Sequence, residues 1–329
     1  MTRHKARLEE GGLLSIIGVM IKLIADIGAT NARFAVVNNG TIESVDILQC
    51  ADYPTLSAAA SAYMAQHRVR PQTAVFAMAM PVDGSDHVRM TNNHWEFSIE
   101  TTRQELGFSR LRLINDFAAI AHAMPYLGDT DRFRVCGGDA VKGLPIGIIG
   151  PGTGLGVAGV VFEGDRPIVV TSEGGHVTMP ADTAREFALF DYLRKTKYSH
   201  VSAERVVSGK GLVNLYNAIC GVDGVSFSER DPASIAQAGM SGACTACGEA
   251  LAQFCKFLGV AAGNLALSFG ARGGIYIAGG IVPQLGDYFP SSGFAEAFVS
   301  KGRFRPYLEA IPVYVVTHKN PGLEGLRHA

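Results

Sequence analysis

The chain has 329 residues, 47% of them hydrophobic and 18% charged, so it can bury a sizeable core and is not a disordered protein. Its 29 Lys and Arg residues balance 30 Asp and Glu residues, and no basic stretch stands out, which argues against a nucleic-acid partner. At this length two domains, or one large domain, are expected.

Residues 1–19 are predicted to be an N-terminal extension. Basic residues between Arg3 and Arg7 precede an apolar run at 13–24, which superficially resembles a signal peptide. However, Glu9 and Glu10 interrupt the basic region, no small-residue cleavage site follows, and the run continues into a predicted strand. It is also shorter than the roughly 18 apolar residues that a membrane span needs. We therefore expect a cytoplasmic protein with no membrane partner and a functional start at Met20.

The first half of the chain alternates predicted strands and helices. Strands at 21–28 and 33–37 flank the turn ATNA, and Asn39-Gly40 predicts a tight hairpin into a third strand. A helical stretch at 55–67, a strand at 73–80 and a short strand at 111–116 follow, and the helical segment FAAIAHAM comes next. This alternation favours an α/β fold.

The second half repeats the pattern of the first. PIGIIG (145–150) is a predicted strand, a glycine loop follows, and VAGVVF (157–162) is a second strand. Aligning residues 24–37 with 148–161 places Gly28 on Gly152. This internal repeat predicts a duplicated core with a ligand held between the two copies. We expect a small α/β domain at 20–126 that includes a returning tail at 317–329, and a large α/β domain at 127–316.

The first glycine turn is a candidate phosphate site. Gly28 lets the backbone approach a phosphate, Thr30 offers a hydroxyl, and Asn31 follows it in the same turn. Asp26, at the end of the preceding strand, could hold Mg²⁺ directly or through water. The alternative is a hairpin with an acidic residue and no ligand.

The second glycine loop contains Gly152, Thr153, Gly154 and Gly156. Its spacing also fits a dinucleotide-binding fingerprint, but that motif must open a helix, whereas VAGVVF is typical of a strand. A Walker A loop is excluded because no Gly-Lys-Ser/Thr follows. A third element, Gly279-Gly280, ends a predicted strand and could pack against a flat base, although taken alone it favours a plain Gly-Gly turn.

Several polar residues are candidates for a catalytic or binding site. Asp116 ends a strand and opens a helix, so it is either a catalytic base or a helix N-cap, and Asn115 could orient the same ligand. In S-E-G-G-H, two glycines allow Glu173 and His176 to approach one small ligand. Their alternatives are a surface acid and a packed histidine, and Glu204 alone is typical of a solvated acid.

The six cysteines do not form a recognisable disulfide framework in a chain of this size. Cys244 and Cys247 form a C-x-x-C, for which zinc, redox and purely structural roles are open. Zinc needs four ligands, and no second pair lies nearby. The pair opens an amphipathic pattern that includes Leu251, Phe254 and Leu258, which favours reduced, structural cysteines in a helix.

The motifs DIGATNAR, INDF, GPGTGLGVA, EGGH, AERVVSG and AGGI together resemble those of the bacterial glucokinases, within the actin-like ATPase and sugar kinase superfamily. The resemblance runs from about Ile21 to the C-terminus. It implies an α/β, two-domain actin-like ATPase (ribonuclease H-like) fold with an interdomain cleft. It also implies ATP, Mg²⁺ and glucose as ligands, a homodimer, and formation of glucose 6-phosphate as the first step of glycolysis.

The resemblance also assigns roles to the candidate residues. Asp116 becomes the base, and the glucose contacts are Asn115, Asp116, Glu173, His176 and Glu204. Nucleotide and phosphate contacts are Asp26, Gly28, Thr30, Asn31, Gly152, Thr153, Gly154, Gly156, Gly279 and Gly280, with Asp26 near Mg²⁺.

Two departures and two alternatives accompany this assignment. The related ROK sugar kinases carry a cysteine-rich zinc motif soon after E-x-G-H, but FALFDYLRKTKYSH contains no cysteine, so no zinc is expected. The 20 residues before Ile21 are too few for a DNA-binding helix-turn-helix domain. A kinase for another hexose is one alternative function. A non-catalytic sugar sensor is the other, although such a sensor would need none of Asp26, Thr30 and Asp116.

Overall fold

The computed structural model describes residues 21–80, 84–90, 93–226 and 228–329. The predicted extension at 1–19 and the predicted start at Met20 lie outside these ranges. Within them the chain forms two large mixed sheets with helices around and between them.

The first sheet has the strand order β3-β2-β1-β4-β7. Its strands are β1 (Lys22–Ile27), β2 (Asn31–Asn38), β3 (Thr41–Gln49), β4 (Thr73–Met78) and β7 (Arg110–Asn115). β1, β2 and β3 are antiparallel, whereas β4 and β7 run parallel to β1. A small separate sheet pairs β5 (His87–Arg89) with β6 (Glu96–Ser98).

The second sheet has the order β11-β10-β9-β12-β13-β8. Its strands are β8 (Arg132–Cys136), β9 (Ile146–Pro151), β10 (Leu155–Glu163), β11 (Arg166–Ser172), β12 (Gly274–Ile277) and β13 (Val313–Val316). β9, β10 and β11 are antiparallel, and β12 and β13 run parallel to β9, so the pattern of the first sheet is repeated. β8 adds an antiparallel strand at the edge beside β13. The duplicated core predicted from the two glycine loops is confirmed.

The helices connect these strands and cover both sheets. They are α1 (Leu56–Gln66), α2 (Ile99–Glu105), α3 (Asp116–Ala123), α4 (Ala184–Thr196), α5 (Gly209–Asp223), α6 (Pro232–Met240), α7 (Thr245–Phe269), α8 (Ile281–Gln284), α9 (Tyr288–Ser291), α10 (Phe294–Val299), α11 (Arg305–Glu309) and α12 (Pro321–His328). The helical predictions at 55–67 and after Asp116 are confirmed.

Local sequence explains where the hairpins and the longest helix end. Asn39 and Gly40 both have positive φ, 48° and 78°, as a tight hairpin between right-twisted strands requires. α7 ends at Gly270, whose φ of 59° is the left-handed conformation that glycine adopts readily. α7 is long and apolar enough to cross a membrane by length and composition, yet 67% of its most apolar window is buried within the fold. That burial is typical of the central helix of a globular core.

α12 packs on the first sheet and on α3. Leu323 and Leu326 join Ile24, Val37 and Ala119 in one buried cluster. Lys22 Nζ donates to the backbone carbonyls of Leu326 and Arg327 at 3.0 and 2.8 Å. The end of the chain is thereby attached to the first strand.

Candidate active site

The turn between β1 and β2 is closed by backbone hydrogen bonds. Gly28 N donates to Asn31 O at 2.9 Å, and Cys50 N donates to Thr30 O at 2.8 Å. Thr30 and Asn31 are exposed, and Asn31 Oδ1 accepts from Gln49 Nε2 at 2.7 Å. The turn therefore presents a hydroxyl on a rigid backbone.

The second glycine loop lies between β9 and β10 and is held by two contacts. Gly152 N donates to Gly154 O, and Gly209 N at the start of α5 donates to Gly152 O, both at 2.8 Å. Glu204 Oε2 accepts from Leu155 N at 3.0 Å. A Cβ at Gly154 would lie 2.6 Å from the same carboxylate oxygen, so glycine is required for this approach. Glu204 therefore fixes the second glycine loop, and the interpretation of Glu204 as a solvated acid does not describe this contact.

A second close approach joins this loop to α3. A Cβ at Gly156 would lie 2.2 Å from the ring of Phe117, and one at Gly150 would lie 2.5 Å from it. Because Gly150 in β9 and Gly156 in β10 carry no side chain, the Phe117 ring can pack on the loop. Asp116, immediately before Phe117, is thereby placed next to it.

The structure resolves the two interpretations of the N-D pair at the start of α3. Asn115 is the N-cap, since its Oδ1 accepts from Phe117 N at 2.9 Å and from Ala118 N at 3.1 Å. The interpretation of Asp116 as the N-cap is wrong: it is the first helical residue, and its Oδ1 accepts from Phe117 N at 2.7 Å. Asn115 Nδ2 donates to Met80 O at 3.2 Å. Helix capping is thus performed by Asn115 and not by Asp116.

Asp26 and Asp116 interact electrostatically. Burial raises the pKa of Asp116 above its ordinary 3.8, and the negative charge of Asp26 raises that pKa further. Burial likewise raises the pKa of Asp26, while Arg33, whose Nη1 lies 3.8 Å from Asp26 Oδ2, partly opposes the shift. Two half-buried carboxylates therefore share one negative region beside the glycine loops.

Glu173 and His176 lie on a single turn, with His176 Nε2 3.8 Å from Glu173 Oε2. Both side chains are well exposed, at 70% and 61%. Between them, a Cβ at Gly175 would lie 2.1 Å from Leu155 O, so this turn packs directly on the strand that follows the second glycine loop. A cavity of about 360 Å³ is lined by both Asn115 and Glu173. The structure thus brings the E-G-G-H turn to the N-terminus of α3.

A second cavity, of about 540 Å³, opens beside the second glycine loop. Its walls are mostly apolar, with Thr153, Lys210 and two amides as the polar side chains. It is lined by Gly152, Thr153, Gly209, Lys210, Leu212, Pro232, Ala233, Ala236, Gln237, Met240, Ile281, Gln284 and Leu285. An apolar slot that ends at a glycine loop suits a flat base joined to phosphates.

The Gly279-Gly280 element borders this cavity. Gly279 has φ of +88°, and a Cβ there would lie 2.5 Å from Pro151 O, so the end of β12 packs on the backbone of the second glycine loop. Gly280 is exposed, and a Cβ there would lie 4.0 Å from Gln284 Nε2. The contact of this element with a flat base stays a prediction.

A family model for glucokinase matches residues 23–329. The chain belongs to the glucokinase family. The glucokinase of Psychromonas ingrahamii is 46% identical over 307 residues, which cover 93% of this chain and 95% of that protein. The glucokinase of Paramagnetospirillum magneticum is 45% identical over 309 residues, covering 92% and 95%. The resemblance found in the sequence motifs is confirmed.

Solved structures of glucokinases share this fold. A glucokinase from an Antarctic psychrotroph superimposes with a TM-score of 0.86 at 38% identity, covering 94% of this chain and 98% of that one. The glucokinase of Balamuthia mandrillaris, crystallised with glucose, gives a TM-score of 0.79 at 22% identity, covering 96% and 94%. At that lower identity the likeness shows the fold alone. The predicted α/β, actin-like ATPase fold is confirmed.

The residues at the site suit the divalent cation expected of a glucokinase-family sugar kinase. Among the described residues, no cluster of three or more His, Cys, Asp or Glu side chains could enclose a metal. Mg²⁺ needs no such enclosure, because it is usually held by one or two carboxylates, substrate phosphates and water. Asp26, with its raised pKa and a second carboxylate nearby, offers the donor type that a divalent cation favours.

Sequence reasoning missed most of the residues that line the 540 Å³ cavity in this glucokinase-family fold. Lys210 follows the S-G motif by one residue, but Gln237, Met240, Gln284 and Leu285 carry no motif. They come from α6, α8 and adjoining residues, which only the tertiary fold brings to the glycine loop. A signal was available for Lys210 alone.

Proposed function

We propose that this chain transfers the γ-phosphate of ATP to the 6-hydroxyl of D-glucose, giving glucose 6-phosphate and ADP in the first step of glycolysis, in the cytoplasm. The observation that carries the proposal is the position of Asp116. It is a half-buried carboxylate at the start of a helix, with a raised pKa, beside a glycine loop and the E-G-G-H turn. Family membership and the relatives named glucokinase support the same reaction.

Asp116 is the proposed general base. A carboxylate whose pKa is raised above the ordinary value binds a proton more readily, which makes it a better acceptor for the proton of the 6-hydroxyl. The hydroxyl oxygen forms a bond to the γ-phosphorus while the bond from that phosphorus to its bridging oxygen breaks. ADP leaves with the bonding electron pair. Most of the catalysis is positioning and electrostatic stabilisation.

Glucose is proposed to bind between α3 and the E-G-G-H turn. Asn115 Nδ2, Asp116, Glu173 and His176 are the proposed contacts to its hydroxyls. Glu204 is proposed to reach the sugar while its Oε2 accepts from Leu155 N, because its other carboxylate oxygen remains for a sugar hydroxyl. One residue would then couple the sugar to the glycine loop.

ATP is proposed to place its base in the 540 Å³ cavity and its phosphates along the two glycine turns. Gly152, Thr153, Gly154 and Gly156 would contact the phosphates from one side, and Gly28, Thr30 and Asn31 from the other. Gly279 and Gly280 would border the nucleoside. Asp26 would hold Mg²⁺, directly or through water, and the cation would neutralise charge on the phosphates.

We also propose a small domain at 20–126 with 317–329, a large domain at 127–316, and a homodimer. The first sheet uses only residues between Lys22 and Asn115, and α12 packs on it, which supports the small domain. β8 begins at Arg132 and belongs to the second sheet, which supports the boundary. Sedimentation at micromolar concentration measures the oligomeric state.

The first experiment measures ATP consumption by the purified protein with Mg²⁺ and a panel of glucose, mannose, fructose, N-acetylglucosamine and no sugar. Turnover that depends on glucose and is weak with the other sugars is the expected result. Turnover with a different sugar would replace glucose as the substrate. Glucose binding without any turnover would favour a sensor.

Replacement of Asp116 tests its role directly. Asp116→Asn keeps the acceptor oxygen for Phe117 N but cannot take a proton, so kcat should fall by about 10²–10⁴-fold while glucose still binds. Asp165→Asn, in the exposed turn between β10 and β11, is the matched control and should retain full kcat. Turnover of Asp116→Asn within a few-fold of the unmodified protein would rule out this base.

A further inference from the structure

The C-x-x-C pair has no part in the chemistry proposed above. Cys244 is the N-cap residue of α7, and Cys247 lies in the first turn of that helix. Cys247 is fully buried, whereas Cys244 is partly exposed. Cys244 is therefore the more accessible residue of the pair, and Cys247 lies inside the fold.

The surroundings make the two thiols chemically different. Hydrogen bonds from the backbone N–H and the thiol of Cys247, and the nearby positive charge of Arg230, lower the pKa of the Cys244 thiol. Burial, followed by the neighbouring Cys244 sulfur, raises the pKa of Cys247 to about 11. An accessible thiol with a lowered pKa in front of a buried partner is the arrangement of a nucleophile and a resolving cysteine.

We propose that Cys244 and Cys247 are a site of reversible oxidation, which forms an intrachain disulfide by exchange with a small-molecule disulfide and weakens nucleotide binding.

The exchange uses glutathione disulfide, or another disulfide of that class, as the oxidant. The Cys244 thiolate attacks one sulfur of the oxidant, and its S–S bond breaks to release one glutathione thiolate. Cys247 then loses its proton to water and attacks the Cys244 sulfur, and the mixed disulfide breaks to release the second glutathione thiolate. Two protein thiols are oxidised and one small-molecule disulfide is reduced.

A direct backbone contact links this pair to the nucleotide cavity. A Cβ at Gly239 would lie 2.8 Å from Cys247 O, so the end of α6 rests on the first turn of α7. Gln237 and Met240, on either side of Gly239, line the 540 Å³ cavity.

Disulfide formation changes the geometry of that turn. Cys244 is the extended residue before α7 and Cys247 is the third residue of the helix, so a bond between their sulfurs constrains the first turn. Because the Cys247 carbonyl lies against Gly239, a shift of that turn is passed on to α6. The effect on ATP rests on the proposed nucleotide site, whereas disulfide formation does not.

The experiment equilibrates the full chain in glutathione buffers of graded reduced-to-oxidised ratio, blocks the remaining thiols with an alkylating mass tag, and counts them by mass spectrometry. We expect the loss of two thiols per chain, mapped by peptide fragmentation to Cys244 and Cys247. Calorimetry on the same samples should show ATP binding weaker by about fivefold or more, the lower end of typical coupling between sites. Reduction should restore it.

Variants distinguish this pair from the other cysteines. Cys244→Ser and Cys247→Ala should each abolish the two-thiol loss and the affinity change, and Cys136→Ser, which is remote from the pair, should leave both intact. Cys50→Ser and Cys220→Ser should likewise keep the two-thiol loss and the affinity change. The first removes the thiol beside the first glycine turn, whose Sγ lies 3.8 Å from Gly28 O, and the second removes the buried thiol that neighbours the pair.

Three outcomes would overturn the proposal: retention of both thiols in the most oxidising buffer, a two-thiol loss that survives in Cys244→Ser and Cys247→Ala, or a disulfide with unchanged affinity for ATP. A reduced protein that does not bind ATP would instead refute the nucleotide site, and the thiol count would still report on the disulfide.

Discussion

Asp116, the proposed base, occupies a position that opposes stability. Burial and the neighbouring charge of Asp26 both disfavour its ionised form, and the hydrogen bond from Phe117 N only partly offsets them. The raised pKa of the folded state means that ionised Asp116 is less stable in the folded chain than in the unfolded chain. The unliganded protein carries this cost at any pH at which the Asp116 carboxylate is ionised.

Asp116→Asn should therefore stabilise the unliganded protein as it removes activity. The contribution of Asp116 to stability is fully present below its ordinary pKa of 3.8 and is lost as the pH rises through its raised folded-state pKa. Thermal unfolding should show a melting temperature a few degrees higher for Asp116→Asn at pH 7, with the gain vanishing towards pH 4. A gain that is unchanged by pH, or that Asp165→Asn shares, would contradict this origin.

Individual residues also show what sequence reasoning could reach. The N-D pair marked the start of α3, but both side chains could cap the helix, and only the structure gives this role to Asn115. Glu204 was assigned through the family motif, and its bond to Leu155 N depends on residues 49 positions apart. Roles that depend on contact across the fold could not be read from local pattern.

Elements were predicted more securely than contacts between them. Glycine turns between β-branched runs defined both hairpins, and the strand at 73–80 was found within two residues of β4. The proposed nucleotide cavity was missed because α6 and α8 are far from the second glycine loop in sequence and form its walls only in the folded chain. Periodicity describes one element at a time and does not say which elements meet.

The contact between α12 and α3 is the tightest of these packing arrangements. A Cβ at Gly325 would lie 1.6 Å from Ala119 O, so Gly325→Ala should force the two helices apart and lower the free energy of unfolding by about 1–3 kcal/mol or more. Chemical denaturation measures this loss.

Gly322→Ala, one turn earlier on the same helix, is the matched control. Its nearest contact would be Asp26 Oδ2 at 3.5 Å, an ordinary van der Waals distance. It should leave the unfolding midpoint nearly unchanged. Because alanine favours a helix more than glycine does, propensity alone would raise the stability of both variants. A loss in Gly322→Ala equal to that in Gly325→Ala would contradict the contact with α3 as the cause.

At the scale of the whole molecule, the two sheets meet around α3. Phe117 packs on the second glycine loop, while Ala119 packs with α12 and the first sheet. Glu173 and His176 remain 70% and 61% exposed, so the sugar side of the site is open. Sugar binding in such an arrangement is expected to draw the halves together and exclude water.

Small-angle X-ray scattering tests this closure. Saturating glucose should reduce the radius of gyration of the unmodified protein, and Asp116→Asn should close as well, because it keeps the sugar contacts. Glu173→Gln should need a higher glucose concentration for the same decrease in the radius of gyration, since it weakens one of the proposed contacts to the glucose hydroxyls. An unchanged radius at saturating glucose would show that the halves do not move.

The attachment of α12 to β1 has a consequence for how the chain is made. Lys22 and the carbonyl of Leu326 are 304 positions apart, and ribosomes add about 5–20 residues per second, so the first strand waits roughly 15–60 s for its partner. During this time the face formed by Ile24, Val37 and Ala119 lies uncovered. The nascent first half is therefore a natural client for chaperones, and slow translation near its end would prolong its exposure to proteases.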